Sequence, residues 1–139
     1  MNTLTRTLAT VASSLALAAS GLLFASSPAS AATSCFGASC NGLDPATTIC
    51  QNDARTVLVA GWNEVELRYS PTCRAAWARK STIGEATVIN VTNTAGNSYA
   101  ANYPGSGTVW TRMVNDKDIQ AWACGYWNNL SRYECTGRY

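Results

Sequence analysis

Residues 35–79 read CFGASCNGLDPATTICQNDARTVLVAGWNEVELRYSPTCRAAWAR, and the reading of this stretch decides the fold. It holds four of the six cysteines, the Asp44-Pro45 and Ser70-Pro71 punctuation, and the most regular polar/apolar alternation in the chain. Covalent and packing constraints therefore converge on it. Cys35 to Gln51 is rich in Gly, Ser, Asn and Thr, lacks an apolar period, and reads as a loop held by its cysteines. Within it Asp44 is suited to cap free amides. Pro45 falls at the first helical position, where its missing N–H costs nothing, so one helical turn is expected to deliver Cys50.

From Ala54 the pattern changes. T-V-L-V-A (56–60) is β-branched and apolar, Gly61 breaks it, and N-E-V-E-L-R-Y (63–69) alternates strictly. Val65, Leu67 and Tyr69 are expected to face inward, and Glu64, Glu66 and Arg68 to face water or a partner. Ser70-Pro71 ends that strand, and one turn through P-T-C-R-A-A precedes W-A-R-K (77–80). Further on, residues 86–92, 98–103, 108–114, 119–127 and 132–136 read as strands. The segments N-T-A-G-N, P-G-S-G and N-D-K-D that separate them are turn chemistry. The expected fold is all-β: a small disulfide-stabilised barrel or sandwich of about six short antiparallel strands, preceded by a cysteine-rich loop. Helical periodicity does not extend beyond a turn, and no internal repeat is visible.

Toward the N-terminus, Arg6 precedes an apolar run from Leu8 to Phe24 and then Ala29-Ser30-Ala31. That order predicts a secretory signal peptide over residues 1–31 and a single disulfide-stabilised β domain over 32–139, with no membrane span after cleavage. The domain of about 108 residues is too small for its core alone to give more than marginal stability. All six cysteines follow the cleavage site, an even number in an exported chain, which favours disulfides over metal or free thiols. The chain has no histidine and no C-x-x-C, so neither a metal site, a redox motif nor any other cofactor is expected. Six cysteines allow about 15 connectivities. Local spacing favours Cys35–Cys40, Cys50–Cys73 and Cys124–Cys135, and the middle bridge, closing the longest loop, contributes about 3.5 kcal/mol in the chain-entropy picture.

The charges beyond Arg6 nearly cancel, which argues against a nucleic-acid partner. Without histidine the commonest general base and the Ser-His and Cys-His machineries are excluded. Two carboxylates acting on a glycan are the one catalytic arrangement still compatible with the composition, and the balance leans away from an enzyme. Aromatic side chains are numerous for so small a domain. Trp77, Trp110 and Trp122 lie in strand-like runs and are expected in the core. Tyr126 and Trp127 are expected to form an exposed contact pair, with Tyr103, Arg68 and Arg112 as further contact residues. These readings converge on a secreted, extracellular, monomeric binding module that meets an envelope polymer or another extracellular protein. The alternative is a secreted inhibitor or effector with a protein partner, presenting the P-G-S-G turn or the Cys35–Cys40 loop.

C-x4-C-N-G-L-D-P-x4-C-x2-D-A, followed by E-L-R-Y-S-P-T-C-R-A-A-W-A-R and later by V-W-T-R-M-V and A-C-G, resembles the secreted family called YjfA-like, or domain of unknown function 2690. The likeness spans nearly all of the chain beyond the leader and is most specific in its first half. It implies an exported module of Gram-positive bacteria and brings no activity, substrate or catalytic residue with it.

Overall fold

The computed structural model describes residues 31–62, 64–81, 84–128 and 131–139. The leader expected over residues 1–31 falls, Ala31 apart, outside them. Three 3-10 turns open the described chain: η1 (Gly37–Cys40), η2 (Pro45–Thr47) and η3 (Ile49–Asn52). As the sequence predicts, Asp44 Oδ1 accepts from the Ala46 amide at 2.9 Å with Pro45 at the first position of η2. Nine strands follow among the described residues, and no α-helix. Sheet one runs β1 (Arg55–Ala60), β2 (Val65–Ser70), β3 (Ala75–Lys80), with β6 (Val109–Trp110) and β7 (Val114–Asn115) both paired to β3. Sheet two has the order β5 (Ser98–Asn102), β4 (Val88–Asn93), β8 (Ala121–Trp127), β9 (Arg132–Cys135). Every strand pair is antiparallel. The architecture is all-β, as expected from the short strands and turn chemistry.

The period-two alternation fills the space between the sheets. Val65 and Leu67 from β2, Ala76 and Ala78 from β3, Ile89 and Val91 from β4, and Ala123 and Trp127 from β8 form one buried cluster. A second cluster lies on the other face of β3, where Ala75 and Trp77 meet Cys40, Cys50, Cys73 and Met113. The cysteine-rich segment thus acts as a clamp over the outer face of sheet one. Strand β3 is covered on both sides, which is why A-A-W-A-R-K shows no alternation of its own.

Three expectations are corrected here. Residues 108–114 do not form one strand: between β6 and β7 the Met113 amide donates to Leu43 O and its carbonyl accepts from Gly42 N, so the clamp takes the ladder bonds. Glu64 does not face water. It is buried and paired with the fully buried Lys80, Nζ to Oε2 at 2.8 Å, and also accepts from the Ala86 amide. Burial pushes its carboxyl up, but these bonds outweigh burial and leave it below the usual carboxylate range. Finally, Trp127 is fully buried while its neighbour Tyr126 is exposed, because successive strand residues point to opposite faces. Gly61 and Gly125 make the room: a Cβ on Gly61 would meet Trp127 Cη2 at 2.0 Å, and one on Gly125 at 2.8 Å.

The bridges join Cys35–Cys40, Cys50–Cys73 and Cys124–Cys135, the pairs that spacing favours. Cys124 and Cys135 are also directly opposite in the β8–β9 ladder, so that bridge staples the hairpin. The first two bridges pack side by side, with Cys35 Sγ 3.4 Å from Cys50 Sγ and all four sulfurs within 4.8 Å of one another.

Candidate functional site

Strand register builds a cleft on the outer face of sheet one. The turn through residues 71–74 places Arg68 opposite Trp77 and Glu66 opposite Arg79, and the β3–β6 ladder then places Arg79 opposite Trp110. Guanidinium and indole groups consequently neighbour one another across three strands. The clamp covers part of this face through Pro45, Ala46, Gln51 and Ala54, and Thr108 completes the wall. What remains open is a cavity of about 240 Å³. Trp77 lines it and is only 4% exposed, whereas Trp110 stands at its edge and is 38% exposed.

The charged groups are held in place. Arg68 donates from Nη1 to Thr56 Oγ1 at 2.9 Å and from Nη2 to Ala54 O at 2.7 Å. Arg79 donates from Nε and Nη2 to Glu66 Oε2 at 3.2 and 2.6 Å. Thr56 and Ser81 donate to the same carboxylate. Burial pushes the Glu66 carboxyl up, yet the hydrogen bonds from Thr56, Arg79 and Ser81 hold it below the usual range. Burial, and then the nearby Arg79 charge, draw the Arg68 guanidinium down from its ordinary value, against the pull of Glu66. At the rim Trp110 Nε1 donates to Asp44 Oδ1 at 2.9 Å. The oxygen that caps η2 therefore also holds the indole and ties the loop to β6.

The residues that line the cleft include no carboxylate, so the facing pair of acids that glycan hydrolysis requires is not formed there. Among the described residues, the one group of side chains with metal-ligand spacing is Cys35, Cys40, Cys50 and Cys73, whose sulfurs are taken up in bridges.

The contact residues expected from the sequence do not assemble into one surface. Arg68 lines the cleft. Arg112 is exposed and ties down the clamp by donating to Gly42 O at 3.2 Å. Tyr103 is half-buried, with Lys80 Nζ 4.5 Å from its ring centre. Tyr126 is exposed on the outer face of sheet two, opposite Tyr133, and Trp127 lies in the core. Trp77 is buried as expected, but Trp110 is not, and Trp122 is half-buried beneath Arg138. Sequence reasoning passed over Trp110, Arg79 and Thr108. The signal for Arg79 was available: a hairpin centred on residues 71–74 puts it on one face with Arg68 and Trp77 by parity alone.

The sequence model of the family described as "Protein of unknown function (DUF2690)" matches residues 38–124, well over half of the chain, and the chain belongs to that family. The match bears on the family alone; the narrower YjfA-like name is not part of it. No curated protein and no solved structure matches the chain.

Proposed function

We propose that this member of the DUF2690 family is an exported, non-enzymatic binding module that meets a polymer of the cell envelope through the cleft on sheet one. The observation that carries the reading is the cleft itself: two indoles and two guanidiniums fixed by strand register, with no carboxylate in the lining. Aromatic faces beside rigid polar groups are suited to hold sugar rings or peptide side chains. The leader and the disulfides are consistent with an extracellular place of action. Pro104 to Gly107 form an exposed turn next to Thr108 of the cleft wall, which favours a protein partner as the second reading.

Co-sedimentation of the oxidised protein with insoluble peptidoglycan and whole cell walls tests the proposal. Retention is expected for the unaltered protein and for Tyr126→Ala, and loss for Trp110→Ala. A protein that stays in solution with every wall preparation sinks the envelope reading and turns the search to a soluble protein captured by the 104–107 turn.

A further inference from the structure

Charge and size narrow the group that the cleft accepts. Arg79 is bonded to a carboxylate, that of Glu66, whereas the terminal nitrogens of Arg68 donate to neutral oxygens, those of Thr56 and Ala54. Of the two positive charges in the lining, one has no directly bonded counterion. The charges that act on Arg68 are those of Arg79 and Glu66, and the one carboxylate among them is already bonded to Arg79. A half-buried, unbalanced guanidinium is costly unless an oxyanion joins it, and guanidinium–oxyanion bonds are among the stronger hydrogen bonds available. The cavity, about 240 Å³, is below the roughly 300–1,000 Å³ of clefts that enclose a drug-sized molecule. A single ring fits that volume, and the exposed Trp110 offers it an apolar face.

We propose that the cleft takes one sugar ring bearing an oxyanion, a carboxylate or a phosphate, with the oxyanion at Arg68 and Arg79 and the ring against Trp110. This rests on the envelope-binding reading and names the ligand class of the same site. Two wall components carry the chemistry: peptidoglycan, through the lactyl carboxylates of sugars free of stem peptide, and phosphodiester-linked wall polymers, through their phosphates.

Calorimetric titration of the oxidised protein with glucuronate and glucose 6-phosphate, against glucose and methyl glucoside, reads the oxyanion directly. The anionic sugars are expected to bind at least about ten-fold tighter than the neutral ones, with an advantage that shrinks as salt is added. Arg68→Gln is expected to remove that advantage. Because Arg68 also holds Ala54 and Thr56, a second variant, Thr108→Glu, places a carboxylate in the exposed wall without touching those bonds and should have the same effect. Neutral sugars binding as tightly as anionic ones, or Thr108→Glu binding anionic sugars unchanged, overturns the inference. Walls stripped of phosphodiester polymers by hydrofluoric acid separate the two sources: retention lost assigns the phosphate, retention kept assigns the carboxylate. Retention that is equal for Thr108→Glu and the unaltered protein defeats the oxyanion while leaving envelope binding standing. Absence of retention on any wall defeats envelope binding, and the sugar titration then decides the ligand class by itself.

Discussion

The two sheets share a core and differ in what lies on their other faces. On sheet two that face is open. Asn90, Thr92 and Ser98 bond to one another across β4 and β5, and Tyr126 and Tyr133 stand exposed on β8 and β9. On sheet one the clamp lies over the same kind of surface and leaves part of it uncovered, so that aromatic and charged side chains acquire walls. An aromatic on an open sheet offers one face to a ligand; the same group at the edge of an incomplete third layer offers an enclosure. The proposed contact face lies where the covering stops, and four predictions bear on it.

The largest expected effect strikes what both faces share. Lys80→Ala leaves the Glu64 carboxylate buried without its partner and should cost about 3–5 kcal/mol in urea unfolding. The double change Lys80→Met with Glu64→Leu should recover most of that loss. Recovery of less than half would show that the pair stabilises the inter-sheet core through more than mutual neutralisation. Next comes the clamp. Removing Cys50–Cys73 by paired alanine substitution should cost about 2–5 kcal/mol and abolish retention on walls, because the clamp forms one side of the cleft. Removing Cys124–Cys135, which closes a shorter loop on sheet two, should leave retention intact. Equal loss of retention from both would break the comparison, since it would couple the two outer faces.

The third prediction concerns pH. Burial pushes the Asp116 carboxyl up to about 7, against the pull of the Arg74 charge and the Ala121 amide. The folded protein therefore holds this proton more tightly than the unfolded chain. Its contribution is fully present below about pH 4 and is lost as pH rises to about 7, a decline on the order of 4 kcal/mol at most. Asp53, Glu64 and Glu66 are held below the usual range and act in the opposite sense, losing stability as pH falls through the acid region. Melting temperature should accordingly be highest near pH 4–5 and decline toward pH 8, and Asp116→Asn should flatten the decline. A variant that melts in parallel with the unaltered protein across that window would remove Asp116 as its cause. The smallest effect is the most pointed: Tyr133→Ala should change stability by less than about 1 kcal/mol, because the residue is 61% exposed, and Trp110→Ala, at a residue 38% exposed and bonded to Asp44, by about 1–2 kcal/mol. Binding should fall with Trp110→Ala and not with Tyr133→Ala. A loss with Tyr133→Ala would move the contact face to sheet two.

Most of the fold was legible because it rests on local rules. Alternation in N-E-V-E-L-R-Y sorted Val65 and Leu67 inward, Asp44-Pro45 marked η2, and short spacing identified the three bridges. The site was less legible because it depends on relations between distant segments. Arg68 was recognised from its exposed-side position in the strand, but its neighbours in the cleft come from β3, β6 and the clamp, residues 45–54 and 108–110. Tyr126-Trp127 misled for the converse reason: adjacency in the chain was read as adjacency in space, and a strand separates such neighbours. Glu64 followed the pattern of its strand on paper, yet it sits just before β2, where Lys80 reaches it from the end of β3.

The sulfur atoms of the clamp carry a consequence of another kind. Cys35 Sγ lies 3.4 Å from Cys50 Sγ, and all four sulfurs fall within 4.8 Å, so each bridge has a sulfur of the other in non-bonded contact. A thiolate released at either bridge has a second disulfide within reach, and exchange exchanges partners by short side-chain movements. Exposure to a small thiol is therefore expected to exchange partners within this group before it touches Cys124–Cys135, and mapping the bridges by mass would record that exposure.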